Sequence, residues 1–407
     1  MSACDKPGLM PVEQALARLL DAAVPTSHTV TIPLREALGR VLAEDILAPL
    51  DVPPADNSAM DGYCLRSADF VDGKILPISQ RIPAGVAPQP LQPGTAARIF
   101  TGAEVPQGAD TVVMQEDCVA TADGVQINEM PEPGQNIRPQ GQDIARGQRA
   151  LARGQRLRAQ ELGLLASLGI AYINVFRPLR VAVLSTGDEL VEPGDSVAPG
   201  QIYNSNRYTL MGLLQGLGLD IVDLGRVADN QAATETALRT AADQADVIIS
   251  SGGVSVGEED HVKAALSALG DLQMWKLAIK PGKPFTFGQV LGKPFLGLPG
   301  NPAAVFVTFT ILCRPWLLKT QGATQISPQG FNVPAGFTVR KAGGRQEYLR
   351  SRLITENGAL RVEPYPNQSS GVLLSASWGN GFAVVPVGQT VNPGDPVLYL
   401  PFDALLN

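Results

Sequence analysis

Between positions 179 and 320, short β-branched runs alternate with apolar stripes of helical period, the rhythm of a parallel α/β sheet. "RVAVLS" reads as a buried strand and ends in "TGDEL". Leu210, Leu213, Leu214 and Leu217 then recur at i, i+3, i+4 and i+7, one face of an amphipathic helix opened by Ser205 and Asn206 and closed by Gly218. "LDIVDL" predicts a second strand, a helix follows over Gln231 to Gln244, and "ADVIIS" predicts a third strand. Val262, Ala265, Leu266 and Leu269 form the next stripe before Gly270. Two more strands are expected near "QMWKLAI" and "KPFLGL". "PGNPAAVFVTFTIL" then reads as a helix with Asn301 as N-cap and Pro302 in first position. Its apolar residues run all round, which predicts a buried helix; it is too short, and too interrupted by Thr308 and Thr310, to span a bilayer.

Outside this unit the pattern changes. Residues 49–143 are rich in Gly and Pro and alternate strand and turn signals without helical stripes. After Ser327, "EYLRSRL", "FAVVPV" and "PVLYLPF", separated by Gly, Pro and Asn turns, predict a compact all-β domain.

With 407 residues, 44% of them apolar and 17% charged, the chain can bury several cores, and two to four domains are expected. A net charge of -7 without blocks of like charge argues against nucleic acid or a membrane surface as the main partner. The start "MSACDKPGLMPVEQALARLL" has no basic, apolar leader pattern, and no run reaches the roughly 18 apolar residues of a span. Cys4, Cys64, Cys118 and Cys313 stand far apart without CxxC spacing, which fits unpaired thiols, and the cytoplasm is the expected compartment. Only His28 and His261 are present, so neither a His-ligated metal centre nor a Ser/His/Asp triad is expected.

The chemistry concentrates at strand ends. Asp188 and Glu189, Asp229, Ser251 to Asp260, Lys280 and Lys283, and Pro299 to Pro302 all follow predicted strands. In an open parallel sheet those carboxyl ends converge on one crevice, where ligands bind. "SGGVSVGEEDHV" puts bare backbone beside three consecutive acids, and acids repel phosphate unless a metal ion or a cationic wall compensates them. Lys276, Lys280 and Lys283 in "KLAIKPGKP" supply such a wall. Taken singly, the glycines read equally as a tight strand-to-helix turn, the acids as first-turn residues favoured by the macrodipole, and the lysines as a solvated edge. Together they point to an anionic ligand held at one end while metal-assisted or oxyanion chemistry occurs at the other.

Seven stretches in order, "DVPPADNSAMDGY", "IFTGAEVPQGADTVVMQED", "NIRPQGQDI", "STGDEL", "SSGGVSVGEEDH", "KLAIKPGKPFTFG" and "GLPGNPAA", carry a resemblance to the molybdopterin molybdenumtransferase family, MoeA and the E domain of gephyrin. The resemblance covers essentially the whole chain. It implies a multidomain α/β plus β protein with four parts: an elongated N-terminal or dimerisation domain (1–48 with 144–178), a Gly/Pro-rich, mostly β domain inserted in it (49–143), a doubly wound, mostly parallel α/β domain of molybdopterin-binding type (179–327), and a small β-barrel-like C-terminal domain (328–407). It further implies insertion of molybdenum from molybdate into adenylylated molybdopterin, with Mg²⁺-dependent release of AMP, in a homodimer whose site lies between protomers. Transient contact with the molybdopterin adenylyltransferase and with downstream molybdoenzyme maturation proteins is implied as well.

Matched to the family's motifs, the functional acids are Asp61, Asp143, Glu189, Asp229 and Asp260, with Thr101 beside them. Glu189 and Asp229 are the expected Mg²⁺ carboxylates, since hard oxygen ligands suit that ion. Asp61, Thr101 and Asp143 are expected from the partner subunit. Ser251, Gly252, Gly253, Ser255 and Gly257, with Lys276, Lys280 and Lys283, would cradle the pterin and phosphates. Arg138 suits an oxyanion, Pro299, Asn301 and Pro302 shape the floor, and Ser370 completes the set. The chain departs from relatives at Gln142, where many show an acid, and at Asn367 to Gly371, which differs from the "QGSH" form. Two other functions use the same parts: the sister enzyme that adenylylates molybdopterin with ATP, and a non-catalytic dimeric scaffold. The flanking Asp61, Thr101 and Asp143 argue against the first, and the intact acid set against the second.

Overall fold

The computed structural model describes residues 8–252, 268–356 and 358–406. The α/β unit is a six-stranded sheet in the order Asp220–Val227, Arg180–Thr186, Val247–Ser251, Lys293–Leu298, Pro284–Val290, Gly270–Lys276. The first four strands are parallel and the last two join through antiparallel pairings. Parallel strands covered on both faces read as unbroken apolar runs, and Val247–Ser251 is buried at every position.

Alternate side chains serve different cores. Val181, Val183, Ile249 and Leu296 pack with Leu210, Leu214, Val305 and Phe309 on one face. Ala182, Leu184, Ile248 and Phe295 pack with Leu238, Ala241 and Ala245 on the other. The helix Gln231–Gln244 follows the expected bounds. The strand Pro284–Val290 is additional to the expected set. It turns into Lys293–Leu298 through Leu291 and Gly292, both at positive φ (49° and 77°), a two-residue hairpin without the Asn-Gly signature that would announce it.

Two local expectations are corrected. The helix Ser205–Gly216 is capped by Asn204, whose side chain accepts from the Arg207 N–H at 3.3 Å, whereas Ser205 and Asn206 lie inside the first turn. The helix beginning at Pro302 continues to Thr320, 19 residues and apolar enough to cross a membrane, yet 94% of its most apolar window is buried inside the protein. Burial rather than shortness marks it as a core helix. A π turn at Phe309–Cys313 precedes Pro315, which has no N–H to give, and carries the helix past it.

The helix Val12–Ala22 buries Val12, Ala15 and Leu19 in the same core, against the Arg314–Thr320 segment. Thr29–Pro33 pairs antiparallel with Tyr172–Phe176, bringing chain segments on either side of the Gly/Pro-rich region together. That region holds a four-stranded sheet, Ile78–Ile82, Ala96–Ile99, Gly62–Leu65, Thr111–Met114, and a three-stranded one, Ile75–Leu76, Gly124–Ile127, Cys118–Thr121.

The C-terminal sheet runs Ile279–Lys280, Gln346–Glu356, Gly381–Val385, Pro396–Pro401, Phe331–Pro334, with Ala359–Pro364 also paired to Gln346–Glu356. Its first strand comes from the lysine loop of the α/β unit. Ile279 and Lys280 lie parallel to Gln346 and Glu347, so two units share backbone hydrogen bonds beside the sheet's carboxyl ends.

Candidate active site

A cavity of about 620 Å³ opens at the carboxyl ends of the parallel strands. Arg180–Thr186 delivers Thr186 and, through the following turn, Glu189; Val247–Ser251 delivers Ser251 and Gly252; Lys293–Leu298 delivers Pro299, Asn301 and Pro302. Lys280 and Lys283 line the same cavity, and Ser370 arrives from the C-terminal domain. Nine expected residues thus line one cavity, which brings one acid, Glu189, and the bare backbone of Gly252 together with two lysines.

Gly252 is required for steric reasons. Its φ is +86°, and a Cβ there would stand 2.8 Å from the Thr186 carbonyl oxygen. Ser251 is held by a 3.1 Å hydroxyl contact with Ser185, deep in the sheet. Gly253, Ser255, Gly257 and Asp260 lie outside the described residues.

The lysine loop is fastened at both ends. The Leu277 N–H donates to the Lys283 carbonyl at 2.7 Å, and Lys280 Nζ lies 2.9 Å from Glu347 Oε1. Lys276 ends its strand exposed, with its carbonyl accepting from Met10, and does not line the cavity.

Asp229 is half-buried, outside the cavity lining, and its N–H donates to Asp188 Oδ1 at 3.2 Å, which joins the turns after two neighbouring strands. Among the described residues no three His, Cys, Asp or Glu side chains converge as a metal site. Mg²⁺ commonly takes one or two carboxylates and completes its shell with water and substrate phosphates. Glu189, exposed in the cavity, suits that mode as one such carboxylate, while Asp229 stands outside the lining.

A second cluster lies in the Gly/Pro-rich region. Asp61 Oδ1 accepts from the Thr101 N–H and from Thr101 Oγ1, each at 2.7 Å. These two bonds, with the nearby Arg98 guanidinium, hold the Asp61 carboxyl below the usual carboxylate range although it is fully exposed. Arg98 is itself pinned by a 3.0 Å bond to the Gly62 carbonyl and lies over the Tyr63 and Phe100 rings. Arg138 is exposed on the strand paired to Asn57–Ser58, and Asp143 is exposed in a turn whose N–H bonds the Val52 carbonyl. None of Asp61, Thr101, Arg138 or Asp143 lines the cavity of its own chain.

The cavity also holds residues that motif reading missed. Asn206 donates to the Gly300 carbonyl at 2.7 Å, tying its helix to the "PGNP" turn. Tyr203 and Asn204 precede it on the wall, in a polar run legible only as a helix cap. Arg345, Gln368 and Ser369 come from the C-terminal domain. The Gln368 amide spans the Arg350 N–H and carbonyl, and the Ala303 N–H donates to the Ser370 carbonyl at 2.9 Å, so this loop is bolted to the floor helix. A lone arginine after two glycines carries no sequence signal for such a role.

Comparison with known proteins agrees along the chain. Residues 10–169 match the MoeA N-terminal region (domain I and II), residues 182–319 a probable molybdopterin binding domain, and residues 332–402 the MoeA C-terminal region (domain IV). The chain is 42% identical over 403 residues to a molybdopterin molybdenumtransferase of Haemophilus influenzae, covering 98% of this chain and 100% of that one. It is 38% identical to one of Nostoc, over 96% of this chain and 94% of the relative. The crystal structure of a molybdopterin biosynthesis MoeA protein from Pyrococcus horikoshii superposes with a TM-score of 0.82 at 30% identity, covering 96% of this chain and 100% of that chain. With three family regions in order and full-length relatives at this identity, the chain belongs to the molybdopterin molybdenumtransferase (MoeA) family.

Proposed function

We propose that this protein is the molybdenum insertase of molybdenum cofactor biosynthesis, transferring molybdenum from molybdate to adenylylated molybdopterin and releasing AMP. The observation that carries the reading is the cavity itself, lined by the cations Lys280, Lys283 and Arg345 together with Gly252, Ser251 and Glu189. Cations and open backbone suit a pyrophosphate, and a carboxylate at the rim suits the ion that accompanies it.

The reaction breaks a P–O bond of the phosphoanhydride. An oxygen of water or molybdate attacks the phosphorus of the pterin phosphate and AMP leaves with the bridging oxygen; the two dithiolene thiols form Mo–S bonds as one molybdate oxygen departs as water with their two protons. No described side chain in the cavity is a persuasive nucleophile, so the chain's contribution is positioning and electrostatic stabilisation. Lys280, Lys283 and Arg345 neutralise charge on the phosphate and molybdate oxygens, Gly252 allows close backbone approach, and Pro299 to Pro302 set the floor. Glu189 and Asp229 would hold Mg²⁺, which when bound supplies charge neutralisation at the phosphates.

The same proposal makes the active unit a homodimer. Asp61 and Thr101 form an organised hydrogen-bonded pair that stands outside the described lining of the lysine-bearing cavity of its own chain, as a half-site completed by another subunit would. In this arrangement the partner subunit's Asp61, Thr101 and Asp143, with Arg138, close the cavity. The domain division given above, cytoplasmic location and transient contact with the adenylyltransferase that supplies the substrate belong to the same reading.

The test is to supply purified protein with adenylylated molybdopterin, Mg²⁺ and molybdate and to follow AMP together with metal bound to the pterin. Molybdate-dependent AMP release with stoichiometric metal transfer is expected. Tight binding without AMP release would make the protein a carrier, and AMP formed only when ATP is added would make it an adenylyltransferase.

A further inference from the structure

The C-terminal domain reaches the cavity's cationic wall through a carboxylate outside every motif. Glu347 stands opposite Lys280 in the parallel register, and its Oε1 lies 2.9 Å from Lys280 Nζ. The Glu347 side chain is 19% exposed and that of Lys280 43%, and only Lys280 lines the cavity. The ammonium is therefore presented to the ligand with the carboxylate behind it. Of the three cations that line the cavity, Lys280, Lys283 and Arg345, only Lys280 has an acidic partner among the described residues.

An ammonium has three N–H donors, so one bond to Glu347 leaves two for a ligand. The same carboxylate lowers the positive potential that an incoming anion meets. We propose that Glu347 is a positioning residue that aims Lys280 into the cavity and moderates its hold on phosphate and molybdate oxygens, so that an anionic product can leave. The inference rests on reading this cavity as the insertase's anion-binding site.

A purely structural role is the competing account. The buried Arg350 guanidinium bonds neutral acceptors, Ser375 Oγ, the Tyr348 carbonyl and the Ser369 carbonyl, and the Glu347 charge acts on it through space. If balancing Arg350 were all that Glu347 did, its neutralisation would loosen the Ser369 loop and weaken ligand binding. The two accounts differ in sign.

AMP and inorganic phosphate are titrated calorimetrically into the unaltered protein, Glu347→Gln, Lys280→Ala and the double variant. Gln keeps an acceptor for Nζ while removing the charge, so Glu347→Gln is expected to bind both anions about threefold or more tightly, and the gain is expected to vanish without Lys280. Unchanged or weaker binding overturns the proposal, as does a gain that survives in the Lys280→Ala background. Should Glu347→Gln not fold, Glu347→Asp withdraws the carboxylate from Nζ yet keeps a charge for Arg350, and the same two outcomes apply. Failure of molybdenum transfer by the unaltered protein would remove the insertase reading while leaving the phosphate comparison intact.

Discussion

Asp61 and Thr101, 40 positions apart, meet through two 2.7 Å hydrogen bonds to a single carboxylate oxygen. One comes from backbone, the other from the hydroxyl. The turn after the Ala96–Ile99 strand is thereby locked to the start of its neighbour Gly62–Leu65, and the carboxylate stays ionised below the usual range.

Thr101→Val removes the hydroxyl bond and keeps the backbone one. The Asp61 carboxyl should then titrate higher, nearer its ordinary value, by a carbon-detected NMR titration. For a group depressed on folding, the linked stability is present above the unfolded-state pKa and lost as pH falls through the folded value. The variant should therefore lose stability relative to the parent near neutral pH, with the difference closing as acid protonates both. An unmoved titration would assign the depression to the backbone bond and Arg98 alone.

Gly252 combines a positive φ with close approach to the Thr186 carbonyl. Gly252→Ala should cost about 1–3 kcal/mol in a urea titration. A wild-type midpoint would mean that the turn relaxes freely.

The Leu210 to Leu217 stripe announced a helix correctly because burial repeats every turn, whereas its cap was misplaced because Asn204, Ser205 and Asn206 are all good cap residues and only geometry separates them. The same limit governs the site. Glycines, prolines and acids at strand ends were legible, because a parallel sheet sends those ends to one crevice. Arg345, Gln368 and the Glu347 that backs Lys280 were not: their segment is brought beside the crevice by a strand pairing between Lys280 and a residue 67 positions later, a tertiary fact without local signature. Pro284–Val290 was missed as a strand for a related reason, since its Leu-Gly turn resembles no common hairpin signal.

The corrected cap is testable. Asn204→Ala loses the bond to the Arg207 N–H and a 3.2 Å bond to Glu192, and should lower stability by about 1–2 kcal/mol. Ser205→Ala should stay within about 0.5 kcal/mol by the same thermal unfolding measurement. Equal losses would return the cap to the first turn.

Glu189 is exposed at the cavity rim, so its removal should spare the fold. Glu189→Ala should retain its Tm while AMP release falls by at least about a hundredfold, ~2.7 kcal/mol of barrier. Release within about threefold of wild type would take Glu189 out of the reaction.

In the proposed dimer the lysine-lined cavity of one protomer and the Asp61–Thr101 pair of the other make one molybdenum-inserting site. Mixing subunits tests it. Asp61→Asn and Glu189→Ala proteins, each inactive alone, are unfolded and refolded together, and molybdate-dependent AMP release is measured. Random pairing gives mixed dimers with one intact site each, so recovery to about a quarter of the wild-type rate is predicted. A mixture as inactive as its components, with mixed dimers demonstrated by mass, would contradict the shared site.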